Sequence, residues 1–171
     1  MNLTRTFATA ARVLRQLSHD PRSIALMLLM PAMLVGLFAW LFSDQDGAFD
    51  QFGGPILALF PFILMFGVTS VTTLRERRSG TLERLMTTPL GKADFITGYA
   101  LAFGLMATLQ AVITVTFAVA VCGLEVEGPV WQLGVVAVLD AVLGTALGLL
   151  ASAFARTEFQ AVQFMPLFIG P

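Results

Sequence analysis

The sequence is poor in the residues that do chemistry. Its 171 residues include one cysteine, Cys122, and one histidine, His19. A lone cysteine excludes an internal disulfide, and no group of Cys, His and carboxylates has metal-ligand spacing. No Ser/His/Asp or Cys/His set can be built around a single histidine near the N-terminus, so His19 reads as a polar surface residue. A phosphate-cradling loop is missing too. Gly-Lys occurs once, at Gly91-Lys92, and Met86 stands where that motif needs its first glycine. These gaps point away from an enzyme and from a resident metal or cofactor. Any catalysis would belong to a partner.

Charge is scarce as well. Charged residues make up 12% of the chain and hydrophobic ones 57%, where a soluble protein carries about a quarter charged. A soluble fold of this size keeps much of its surface wet and could not hide so much apolar area. The net charge of −1 gives no basic face for a nucleic acid. Lipid is the solvent that this composition fits.

Segments 23–42, 54–74, 95–121 and 130–154 read as transmembrane helices. Twenty residues at helical rise cover about 30 Å, the depth of a hydrocarbon core. Trp40, near the end of the first, is placed as an interfacial anchor. Pro55 and Pro61 interrupt the second, which a spanning helix tolerates where neighbours satisfy the freed backbone. A fifth apolar stretch, 159–171, covers about 20 Å and is too short to cross unaided. Ahead of the first span, 1–20 reads as an interfacial helix. Leu3, Phe7, Ala10, Leu14 and Leu17 form an apolar stripe, opposite Arg5, Arg12, Gln16 and His19. Asp20-Pro21 ends it. The expected fold is an all-α polytopic membrane protein.

The cations give an orientation. Arg5, Arg12, Arg15 and Arg22 precede the first span; Arg75, Arg77, Arg78, Arg84 and Lys92 lie between the second and third; Arg156 follows the fourth. These are all ten Lys and Arg residues. The alternate connections hold only Asp44, Asp46, Asp50, Glu125 and Glu127. Cations stay inside during insertion, so the N-terminus and the 75–94 segment are expected in the cytoplasm.

Within that segment, 79–90 reads as a short helix opened by Gly80 and stopped by Pro89. Leu82, Leu85 and Met86 make an apolar edge that no lipid covers. Such an edge either docks in a partner's groove or folds back onto the chain's own spans. Periodicity leaves both open.

The run Leu74-Arg75-Glu76-Arg77-Arg78-Ser79-Gly80-Thr81-Leu82-Glu83-Arg84-Leu85-Met86-Thr87-Thr88-Pro89-Leu90 resembles the signature of the type-2 ABC exporter permeases. That family includes the membrane subunits of daunorubicin-type multidrug exporters and of polysaccharide exporters. By resemblance, Glu76, Gly80, Thr81, Leu82, Glu83, Leu85, Met86 and Pro89 form the coupling helix that docks in an ABC ATPase subunit. The whole chain would then be one exporter transmembrane domain in the inner membrane, pairing with itself or a sister permease among membrane lipids. Members continue through a fifth span, an outer re-entrant element and a sixth span, so by this resemblance the chain reads as truncated or as one piece of a split gene.

Asp140 lies near the middle of the fourth span, where a carboxylate costs roughly 2.5–3.5 kcal/mol and turns toward protein or water. Gly144, Gly148 and Ser152 follow on its stripe at the spacing that lets helices approach closely. Asp140 therefore either lines a substrate path or binds a cation, or else hydrogen-bonds at a helix contact, with Gln110, Thr114 and Thr116 as candidate partners. An alternative to the exporter is a non-transporting scaffold or an oligomeric channel, which would need no ATPase. An intramembrane enzyme would need a second catalytic group beside Asp140, and none is found.

Overall fold

The computed structural model describes residues 3–45, 47–78, 92–126 and 128–166. Six helices account for nearly all of them: α1 (Leu3–Ser18), α2 (Pro21–Leu41), α3 (Ala48–Arg78), α4 (Lys92–Ala120), α5 (Val130–Phe154) and α6 (Glu158–Gln163). No strand occurs among the described residues. Four of the helices, α2 to α5, are long and apolar enough to cross a membrane, and the chain is a multi-pass membrane protein.

Local chemistry sets the boundaries. Pro21 opens α2 at the first helical position, where its missing N–H costs nothing. Gly123 takes φ +68° after α4, which turns the chain so that the Leu124 N–H reaches back to the Ala118 carbonyl at 3.1 Å. The Glu125 N–H then donates to Asp50 at 2.9 Å, tying this loop to the start of α3.

Two helices overrun the spans read from hydropathy. The 31 residues of α3 reach about 46 Å, against about 30 Å of hydrocarbon. The helix begins at Ala48, inside the expected loop, and carries on past Leu74 to Arg78. Likewise α4 begins at Lys92, ahead of the first apolar residue. Helix persists because backbone hydrogen bonding does not stop where the side chains turn polar.

The most extensive helix pair is α3 with α5, which run in the same direction. A Cβ added at Gly144 would stand 2.4 Å from the Phe62 carbonyl oxygen, and one at Gly148 would stand 2.7 Å from that of Phe66. Only glycine allows the two backbones this close. The small-residue stripe expected on the fourth span is therefore a backbone-to-backbone seam. Met65, Phe66, Tyr99 and Phe103 fill the centre, and Val35, Leu57, Ala118 and Leu124 make a second cluster toward the acidic loops. Large apolar side chains such as Leu37, Leu105 and Leu143 point outward, as a lipid-solvated surface requires.

α1 packs on the bundle through small residues and turns part of its apolar stripe outward. Leu3 and Phe7 are 66% and 63% exposed, while Thr6, Thr9, Ala10 and Val13 are buried. Leu14 and Leu17 pack only partly against the core. The cause is α4: a Cβ at Gly98 would meet the Thr9 Cβ at 2.6 Å and the Thr6 carbonyl oxygen at 3.0 Å. Small residues were needed at this crossing, and the bulkier Leu3 and Phe7 are left for the surrounding medium.

Candidate functional site

Just before residue 79, α3 leaves the apolar layer and presents Arg75, Glu76 and Arg77 in sequence. Successive helical side chains point about 100° apart, so three neighbours in sequence can reach three different elements. They do.

Arg75 reaches α6. Its Nε and a terminal nitrogen donate to the two carboxylate oxygens of Glu158 at 2.7 and 2.9 Å. Glu158 sits at the start of α6, which the Thr157 side chain caps by accepting from the Gln160 N–H. This two-pronged contact with Arg75 holds the Glu158 carboxyl below its ordinary value. Beneath the pair, Leu74 packs with Ala155 and Ala161.

Glu76 reaches α1. The residue is only 7% exposed, and a carboxylate so placed needs a cation and hydrogen bonds to stay charged. Arg12 brings a guanidinium nitrogen within 3.8 Å of Oε1, and Gln16 hydrogen-bonds the same carboxylate. Arg12 also donates to the Tyr99 hydroxyl at 2.9 Å, with its guanidinium carbon 5.9 Å from that ring's centroid. Tyr99 belongs to α4 and is fully buried. One arginine from α1 therefore clamps α3 to α4.

Arg77 reaches α5. Its terminal nitrogen donates to the Ser152 carbonyl, one of the last carbonyls of that helix, which lack intrahelical partners. A cation there also meets the negative end of the helix dipole.

The α3 terminus is thus fastened to α6, α1 and α5 by three consecutive side chains, with α4 joined through Arg12. Beside this hub lies a cavity of about 750 Å³ between α1, α2 and α3. Its walls include Met27, Met30, Val68 and Val71, and Arg75 and Glu76 stand at one end.

Of the residues singled out in the sequence, Glu76 lies at the hub's centre. Gly80, Thr81, Leu82, Glu83, Leu85, Met86 and Pro89 lie outside the described residues. Gly144, Gly148 and Ser152 line the α3–α5 seam. Asp140 flanks that seam, half-buried, and makes no hydrogen bond or ion pair among the described residues. Thr114 donates to its own helix, to the Gln110 carbonyl at 2.9 Å. Gln110 is fully buried with no partner for its amide among the described residues. Neither joins Asp140.

Sequence reading missed Arg12, Tyr99 and Arg77. A buried carboxylate at a span end signals that some arginine must approach it, yet four arginines precede the first span, and nothing local chooses Arg12. Tyr99, the chain's one tyrosine, was a signal in plain view, because a tyrosine near a span's polar end usually finds a hydroxyl partner.

Comparison with known proteins agrees with this architecture. The ABC-2 type transporter family model matches residues 4–171. The chain is 30% identical over 125 residues to ABC transporter G family member 20 of Dictyostelium discoideum, covering 71% of this chain and 17% of that protein. It is 25% identical over 134 residues to ABC transporter G family member 23 of the same organism, covering 77% of this chain and 19% of that one. The chain spans less than a fifth of the length of either relative. No solved structure matches significantly.

Proposed function

The chain belongs to the ABC-2 type transporter family, and from that premise we propose that it is the membrane-spanning permease of an ATP-driven exporter. ATP hydrolysis is supplied by a separate ABC ATPase subunit that grips the 79–90 segment from the cytoplasm. The permease pairs with itself or with a sister chain in the inner membrane, N-terminus inside. The cargo is a drug, a lipid or a glycan.

One observation carries this reading. The stretch that leads into residues 79–90 is tied at once to α6, α1 and α5 through Arg75, Glu76 and Arg77. A partner that displaces 79–90 must therefore move several helices together. Rigid helices joined by such ties rock as bodies rather than bend, which is the motion that alternating exposure of a cargo site requires. A connecting loop with no mechanical duty would need no such anchorage.

The test is co-purification. The double variant Gly80→Pro, Glu83→Arg should lose the ATPase subunit while still inserting and melting like the parent. Undiminished capture of the ATPase by that variant would remove the docking assignment.

A further inference from the structure

A second cavity, of about 570 Å³, opens between α3, α4 and α5 at the cation-bearing end of the bundle. Of the hub residues, Arg77, Ser152 and Tyr99 reach its wall. Its apolar walls come from α4 and α5, including Phe95, Ile96, Val142, Ala146, Leu149 and Leu150, while α3 contributes Thr73 and Arg77. Ile96, Val142 and Leu150 are also exposed on the outside of the bundle, so the cavity communicates with the acyl layer. Its volume falls within the roughly 300–1,000 Å³ typical of small-molecule sites.

Polar atoms enter this space at few points, and two are already satisfied. The Thr145 hydroxyl donates to the Ala141 carbonyl at 3.0 Å, and that of Ser152 to the Leu149 carbonyl at 2.6 Å. Thr73 is the exception. It lines the cavity, is 6% exposed, and its hydroxyl has no hydrogen-bond partner among the described residues. Thr97, Thr108 and Thr114 return their hydroxyls to the preceding turn, whereas on α3 those of Thr69 and Thr73 find no partner among the described residues, and of these two it is Thr73 that lines the cavity. A buried hydroxyl left without a partner costs free energy, which a ligand bringing an acceptor would recover.

Arg77 follows Thr73 by four residues, on the same face of α3. Among the described residues its guanidinium makes one hydrogen bond, to the Ser152 carbonyl, and faces no carboxylate. A guanidinium carries five N–H donors, so most remain to be met. The cavity thus has an oily interior open to lipid, one buried donor and one cation at its polar rim.

We propose that this cavity binds an anionic phospholipid from the leaflet on the cation-bearing side. An acyl chain lies against Val142, Ala146, Leu149 and Leu150, the Thr73 hydroxyl donates to an ester or phosphate oxygen, and Arg77 holds the phosphate. Basic pockets between spanning helices on that side of a membrane suit anionic headgroups, and guanidinium–phosphate pairs are strong, often two-pronged contacts. The bound lipid joins α3, α4 and α5 alongside the glycine seam.

The full chain, delipidated in mild detergent, is titrated with short-chain phosphatidylglycerol and, separately, with short-chain phosphatidylcholine, and bound lipid is counted by native mass spectrometry. The parent should retain phosphatidylglycerol and prefer it to phosphatidylcholine by about tenfold, because both carry a phosphate but the choline cation offsets the charge that Arg77 faces and glycerol does not. Arg77→Gln keeps an N–H for the Ser152 carbonyl but loses the charge, and should abolish the preference. Thr73→Val keeps the shape and breaks no hydrogen bond among the described residues, and should weaken phosphatidylglycerol severalfold with an unchanged melting temperature. If Arg77 only caps α5, Thr73→Val binds as the parent does. That result, or equal retention of the two lipids by the parent, overturns the proposal.

Discussion

Arg12 and Glu76 meet with 3.8 Å between guanidinium nitrogen and carboxylate oxygen, joining α1 to the last turn of α3. Because Arg12 also holds the Tyr99 hydroxyl, losing Glu76 leaves a partly buried cation with half its partners. Glu76→Gln should therefore destabilise the protein by about 1–3 kcal/mol. Restoring the pair in reverse, as Arg12→Glu with Glu76→Arg, should recover only part of this, since Tyr99 cannot satisfy a carboxylate in the same way. Melting curves in detergent for the two singles and the double give the coupling directly. Strictly additive losses would mean that the two side chains do not interact.

The glycine seam makes a sharper prediction. Any Cβ at Gly144 collides with the Phe62 backbone, which cannot swing aside as a side chain could. Gly144→Leu should cost at least about 2 kcal/mol and force α3 and α5 apart. Gly134 lies on the same helix with nothing within 4 Å of its would-be Cβ, so Gly134→Leu serves as the matched control. Equal melting temperatures for the two variants would contradict the seam.

How much of this was legible beforehand follows from the range of the forces involved. Hydropathy is local, so the four spans could be read, and α5 runs from Val130 to Phe154 as expected. Helix ends were less legible, because α3 continues through Arg75, Glu76 and Arg77, residues whose polarity looked like a loop. The Gly144–Gly148–Ser152 spacing gave away a close contact but not that α3 was the partner. The packing face of α1 was not legible, because the apolar stripe told only of the membrane interface, whereas steric fit at Gly98 selected Thr6 and Thr9. Arg12, Tyr99 and Arg77 act across long stretches of chain, and no local pattern encodes such pairings.

The Arg75–Glu158 contact should behave unlike the Arg12–Glu76 one. Both partners are exposed to solvent, so salt screens them and their contribution to stability is small. The Glu158 carboxyl titrates below its ordinary value. Its contribution is therefore full above about pH 4.3, the usual glutamate value, and is lost as pH falls through the lower folded value. Glu158→Gln should lower the melting temperature slightly at pH 7 and low salt, and make no difference at molar salt or strongly acidic pH. A deficit that survived molar salt would mean that Glu158 acts through packing.

Asp140 stands within the apolar layer and makes no hydrogen bond or ion pair among the described residues. Replacing it by leucine removes an apolar-phase carboxylate that costs roughly 2.5–3.5 kcal/mol to insert. The melting temperature of Asp140→Leu should hold or rise. Transport measured in parallel then separates two roles: if export falls while stability does not, the carboxylate faces cargo or a second subunit. A marked drop in melting temperature would instead place a structural partner for Asp140 within the chain.

Cys122 offers a direct measure of which way the bundle faces. It follows the end of α4, on the side of the acidic loops, and its thiol is partly exposed. With the N-terminus inside, α4 runs outward and Cys122 emerges on the external face. A membrane-impermeant maleimide should then label intact cells through this residue, the chain's one cysteine. Burial pushes the thiol above its ordinary value, and only the thiolate reacts, so labelling should be slow at neutral pH and quicken by about tenfold per unit as pH rises toward that value. Cys122→Ser should abolish the signal. Labelling that appeared only after the cells were permeabilised would put the cations outside, and no cytoplasmic ATPase could then reach residues 79–90.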